Sequence, residues 1–176
     1  MNLANQITLA RIMLIPLFMI SFLNQQSMIT ALFIFAIAAG TDKLDGYVAR
    51  KYNQITNLGK LLDPLADKLL IAAALIMMVQ EDMISSWIAV IIIGREIVIT
   101  ALRMVATEQG IALAADQYGK IKMVLQVAAI IAVLLNHVPF SLLWDVRVDM
   151  ILLWLAAGVT LLSGLNYMIL NYKLLR

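Results

Sequence analysis

Four aspartates carry the most pointed chemistry in this sequence. Asp42, Asp45, Asp63 and Asp67 stand in TDKLDGYVARKYNQITNLGKLLDPLADKLL, residues 41–70, between two long apolar runs. If those runs continue as helices into the stretch, Asp42 and Asp45 lie three apart and Asp63 and Asp67 four apart, so each pair shares one helix face. Two such helices facing one another bring four carboxylates to one point. Left alone, the cluster repels itself, and an aspartate at mid-bilayer costs roughly 2.5 to 3.5 kcal/mol on the insertion scale. A cation must therefore sit among them. Carboxylate-only ligation suits hard divalent ions such as Mg2+ or Mn2+, and the chain has no cysteine and only His137 with which to build a softer site. The plainer alternative is a salt-bridge knot with Lys43, Lys60 and Lys68. Such a knot does not need this spacing, and ionisable residues inside a membrane are functional by default.

A second polar set lies further along. Arg95 and Glu96 fall in the middle of an apolar run, where a charge needs a partner or an aqueous cavity. Arg103 follows eight residues after Arg95, on roughly the same face, and Lys120 and Lys122 open the next run. Arg95 with Glu96 can be read as a structural pair, and Lys122 as a boundary lysine whose stem snorkels toward water. Near the start, Asn5, Thr8 and Arg11 recur at three-residue intervals on one side of a helix, with Leu3, Ile7 and Leu9 apolar. Arg11 there reads either as a snorkelling residue at a helix start or as part of a site.

The elements that must hold these residues follow from composition. Of 176 residues, 63% are hydrophobic and 14% charged, and the mean hydropathy is +0.93, far more apolar than a soluble domain of this size. Apolar runs at about 7–24, 28–49, 61–80, 84–106, 117–137 and 148–170 each approach the ~20 residues that a spanning helix needs. The expectation is an all-α integral membrane protein, one domain over residues 1–176, with six transmembrane helices. Connections are expected at Asn24 to Ser27, Glu81-Asp82, Glu108 to Gly110 and Pro139 to Asp145, and Pro16 is expected to kink the first helix. That first run has no basic start of its own and no small-x-small cleavage site after it, so it reads as a retained helix rather than a signal peptide. Arg11, Arg50, Lys51, Lys60, Arg103, Lys120, Lys173 and Arg176 gather on one side, against Arg147 on the other, so both termini are expected in the cytoplasm. The aspartates then lie at the cytoplasmic ends of helices 2 and 3. A net charge of +2 without a basic, aromatic-interleaved cluster gives no case for nucleic acid, zero cysteines exclude disulfides and thiolate chemistry, and His137 is given no role.

The aspartate stretch resembles the signature of the CDP-alcohol phosphatidyltransferase family, D-x2-D-G-x2-A-R-x8-G-x3-D-x3-D. Asp42, Asp45, Gly46, Ala49, Arg50, Gly59, Asp63 and Asp67 match it at every position and spacing. The resemblance implies two divalent ions per site, one held by Asp42, Asp45 and Asp63 and one by Asp42, Asp63 and Asp67, bridged by the diphosphate of CDP-diacylglycerol. It implies Asp67 as general base, Gly46 as the point where a nucleobase approaches the helix, and Arg50 as a forked donor to phosphate. Thr56 and Gly59 match nucleotide-contacting positions of relatives, and Asn5 with Thr8 fits an N-x2-T element placed against the nucleotide. GREIVITALR and QYGKIKM are similar to segments of the bacterial branch whose acceptor is sn-glycerol 3-phosphate and whose products are phosphatidylglycerophosphate and CMP. Arg95, Arg103 and Lys120 would then bind the acceptor phosphate, since serine or ethanolamine would not need three cations. Family members are homodimers, which is carried over as an expectation. The alternatives are the same chemistry with phosphatidylglycerol or inositol phosphate as acceptor, or, from another class, a cation transporter. Against a transporter, no second acidic site continues a path across the membrane.

Overall fold

The apolar runs fold as helices close to where their lengths place them. The computed structural model describes residues 3–24, 28–51, 57–108, 118–135 and 147–171. Among these are six helices and no strand: α1 (Leu3–Leu23), α2 (Met28–Lys51), α3 (Asn57–Gln80), α4 (Ser86–Glu108), α5 (Tyr118–Leu134) and α6 (Val148–Leu170). By length and composition, α1 and α6 are long and apolar enough to cross a membrane. In α2 and α5 the described apolar parts are Met28–Thr41 and Ile121–Leu134.

Each helix turns a large apolar side chain outward. Met13, Ile29, Ile76, Trp87, Val124 and Leu162, one per helix, are all more than half exposed. A lipid surround satisfies such a surface, and water does not. Inside, packing follows the 3.6-residue period. On α1 the buried face reads Asn5, Thr8, Arg11, Ile15, Phe18 and Phe22, polar in its first half and apolar in its second. Ala31, Phe35 and Ala38 line α2 in the same way. Phe18 stacks at a tilt on Phe22 and on Phe35, with ring centroids 5.7 and 5.8 Å apart, so the aromatic residues of α1 serve packing while Met13 faces outward. Small buried residues, among them Ala74 on α3, Ala129 on α5, and Ala156 and Ala157 on α6, allow the close helix approach typical of bundles in lipid. α1 packs along α2 and α3, and α6 along α4 and α5; α2 and α3 also touch α5 and each other, and α3 touches α4.

Local chemistry sets the ends. α3 closes with Met83 N–H donating to Met78 C=O (2.9 Å) and Asp82 N–H to Val79 C=O (3.1 Å), and Asp82 takes the left-handed conformation, φ 54°. This is the Schellman arrangement, with an aspartate where glycine is usual. The fourth helix starts at Ser86, slightly later than the apolar run suggests, because the Ser85 hydroxyl accepts from the Trp87 N–H (3.4 Å) as an N-cap. α1 continues through Pro16, which removes one intrahelical donor. At the start of α6, buried Asp149 accepts from the exposed Arg147 guanidinium at 2.8 Å and lies at the positive end of the helix dipole.

Candidate active site

The polar half of α1 meets the end of the apolar part of α2. Asn5, Thr8 and Arg11 are all buried, and each is engaged in a polar contact. Arg11 Nε donates to Thr41 Oγ1 at 3.4 Å, and the Thr41 hydroxyl donates to Ala38 C=O at 2.7 Å. Arg11 is 1% exposed, so it does not snorkel; its guanidinium ties α1 to the residue immediately before Asp42.

The aspartate stretch is helical on both sides of its middle. Asp42, Asp45, Gly46 and Arg50 fall in α2, and Asp63 and Asp67 in α3, so the spacings of three and four are helical spacings as expected. Of these residues the backbone of all and the side chain of Asp67 are described; the side chains of Asp42, Asp45, Arg50 and Asp63 lie outside the described residues, as does Thr56 entirely. Gly59 is buried in the first turn of α3, and Asp67 is partly buried two turns on. Pro64, between Asp63 and Asp67, has no N–H to donate to the carbonyl of residue 60, so the helix lacks one backbone bond beside the carboxylates.

Next to Asp67 begins a network that joins four helices. Lys68 donates to the Thr100 hydroxyl of α4, which itself donates to Glu96 C=O at 2.6 Å. The Glu96 carboxylate pairs with Lys122 of α5 and stands 3.6 Å from the guanidinium of Arg95. Arg95 reaches the other way to α6, donating to Ser163 Oγ at 2.6 Å. One turn of α6 earlier, Gln126 of α5 donates to Thr160 at 3.0 Å. Lys122 is buried in this ion pair, which corrects the boundary-lysine reading: Glu96 of α4 draws the ammonium inward rather than leaving it to seek water. Asp67 and Lys68 are neighbours on α3, so the second helix of the aspartate stretch joins this network through the bond from Lys68 to Thr100. Arg103 lies two turns past Arg95 and is exposed, and Lys120 is in the first turn of α5 with its side chain outside the described residues. His137 also lies outside them.

Beside the network a cleft of about 390 Å³ opens between α3 and α4, lined by apolar residues such as Leu69, Ile92 and Ile97 and by Lys68, Glu96 and Thr100. Sequence reasoning weighed Lys68 only as a counter-charge to the aspartates and missed its bond to Thr100, and it missed Ser163 as the partner of Arg95. The only available signal for Ser163 was the small pair Ser163-Gly164 interrupting an otherwise apolar helix.

Comparison with known proteins shows the family. The family model described as CDP-alcohol phosphatidyltransferase matches residues 1–162. A Bacillus subtilis protein named CDP-diacylglycerol--glycerol-3-phosphate 3-phosphatidyltransferase is 44% identical, covering 99% of this chain and 97% of its own. Proteins of the same name from Pseudomonas fluorescens and Rickettsia felis are 40% and 35% identical, over 96% and 94% of this chain and 89% and 93% of theirs. With a family model spanning nearly the whole chain and relatives matched end to end, the chain belongs to the CDP-alcohol phosphatidyltransferase family.

Proposed function

We propose that this protein is a phosphatidylglycerophosphate synthase, a CDP-diacylglycerol:glycerol-3-phosphate 3-phosphatidyltransferase. The C1 hydroxyl oxygen of sn-glycerol 3-phosphate attacks the phosphorus of the phosphatidyl group, the bond from that phosphorus to the bridging oxygen of CMP breaks, and the hydroxyl proton passes to a carboxylate. The observation that carries the reading is the junction at Asp67: the family signature ends there, and the cation-bearing network of α4 and α5 begins one residue later.

In this reading Asp67 is the proton acceptor, since a carboxylate partly engaged elsewhere can still take a proton within hydrogen-bond reach. Asp42, Asp45, Asp63 and Asp67 offer only carboxylate oxygens, a donor set that fits Mg2+ or Mn2+, and two such ions would neutralise charge on the diphosphate. Asn5, Thr8, Gly46, Arg50, Thr56 and Gly59 hold the nucleotide; the burial of Asn5 and Thr8 beside Arg11, at the start of the aspartate stretch, supports that role. Arg95, Arg103 and Lys120 hold the acceptor phosphate. All six helices span the membrane with both termini in the cytoplasm, which the gathering of basic residues on one side supports. The protein works as a homodimer within the lipid.

The test is CMP release by purified protein in lipid nanodiscs with Mg2+, offering CDP-diacylglycerol with glycerol 3-phosphate, phosphatidylglycerol or inositol phosphate. Release that depends on both the metal and glycerol 3-phosphate is expected. Turnover with phosphatidylglycerol instead would make it a cardiolipin-forming enzyme, and metal flux into vesicles without CMP release would make it a transporter.

A further inference from the structure

We infer that Gly164 of α6, with Ser163 before it, is a positioning residue for Arg95 and thereby tunes affinity for the acceptor phosphate. This rests on the acceptor reading of Arg95 given above. The side chain of Arg95 crosses from α4 directly over Gly164. A Cβ at position 164 would lie 2.8 Å from Arg95 Cγ, 3.6 Å from Nε and 3.8 Å from Cδ. Cγ is near the root of the side chain, so the clash cannot be relieved by a small movement of the tip; the whole guanidinium must swing. Its tip is meanwhile fixed on two sides, by Ser163 Oγ at 2.6 Å and by Glu96 Oε1 at 3.6 Å.

Three contacts therefore select one arrangement of a side chain that otherwise has many rotamers. Glycine inside a helix is less favourable than alanine, so its presence at an interface is explained by what the missing Cβ admits. Three other glycines differ. Gly40, Gly94 and Gly158 would place a Cβ with nothing within 4 Å. Gly164 alone among these four has its space filled by a cation. A forked donor recognises phosphate directionally, so a displaced guanidinium loses acceptor affinity without disturbing the donor side.

The experiment uses full-length protein in nanodiscs. Gly164→Ala should raise KM for glycerol 3-phosphate about tenfold, with kcat and KM for CDP-diacylglycerol within about twofold. Gly158→Ala, the same change on the same helix, should leave all three parameters unchanged. Ser163→Ala adds no atom, and so serves if Gly164→Ala folds poorly; it should raise the same KM about threefold. In an Arg95→Ala background, Gly164→Ala should have no further effect on that KM, because the two act through one side chain. Additive effects in that background, or an unchanged KM in both Gly164→Ala and Ser163→Ala, would overturn the inference while leaving the acceptor reading intact. If Arg95→Ala itself leaves KM for glycerol 3-phosphate unchanged, the acceptor reading fails first and the positioning role falls with it.

Discussion

The two polar regions of this bundle handle charge in opposite ways. On α2 and α3 the acidic residues come in pairs three and four apart, so that a local helix turn concentrates like charge. On α4, α5 and α6 the acid at the centre of the second polar set, Glu96, is met by Lys122 and Arg95 from within the protein, and Arg95 is met again by Ser163. A region that gathers like charge calls for a counter-ion from outside, and in the proposed function that counter-charge is metal, with the diphosphate it would hold. One that balances charge internally fixes the geometry of its cations. The join between them at Asp67 and Lys68 is where donor and acceptor would meet.

The largest effect should come from the first region. Asp67→Asn should reduce turnover at least a hundredfold while CDP-diacylglycerol binding stays near normal, because removing a general base costs about 10²–10⁴-fold. Retention of more than about a tenth of the rate would remove Asp67 as base. Asp42→Ala should lose nucleotide affinity together with rate, measured by binding in Mg2+, since that carboxylate is assigned to both ions.

In the second region the leading effect should be on folding. Glu96→Ala leaves buried Lys122 and Arg95 without their shared carboxylate, so a loss of about 3–5 kcal/mol is expected, read by denaturation in detergent. If Glu96→Ala were as stable as the parent and inactive, the contrast between a ligand-demanding and a self-balanced region would fail, and Glu96 would belong with the catalytic carboxylates.

Smaller again is the effect at Arg103, which is exposed and two turns beyond Arg95. Arg103→Ala should lower kcat/KM for glycerol 3-phosphate about tenfold to a hundredfold, the worth of one charge-assisted contact at roughly 1.5 to 3 kcal/mol. Loss with CDP-diacylglycerol alone would move Arg103 to the donor side. The smallest is a control remote from both regions. Asp82→Gly relieves the left-handed conformation at the α3–α4 turn and should stabilise the protein by about 1 kcal/mol without altering turnover.

What the sequence by itself determined is what a single helix can express. Apolar length gave the six described helices to within a few residues, because a run of about twenty mostly apolar residues has few other stable forms than a helix packed on its neighbours. The signature running from Asp42 to Asp67 gave the family by resemblance, and its aspartate spacings of three and four fall within α2 and α3 because residues so spaced share a face wherever the helix lies. The polar face of α1 at Asn5, Thr8 and Arg11 was legible for the same reason. Its burial was not, and neither was the bond from Arg11 to Thr41, 30 residues away.

Contacts of that kind depend on which helices become neighbours. Glu96 finds Lys122 across 26 residues, and Arg95 finds Ser163 across 68. From sequence, Lys122 near a helix start is as compatible with an interfacial ammonium as with a buried one; only the carboxylate on the adjacent helix distinguishes them, because desolvating an ammonium requires a partner at short range. Gly164 is the extreme case. A residue without a side chain has no chemistry to read, and its significance lies wholly in the arginine stem that the packing of α4 against α6 lays across it.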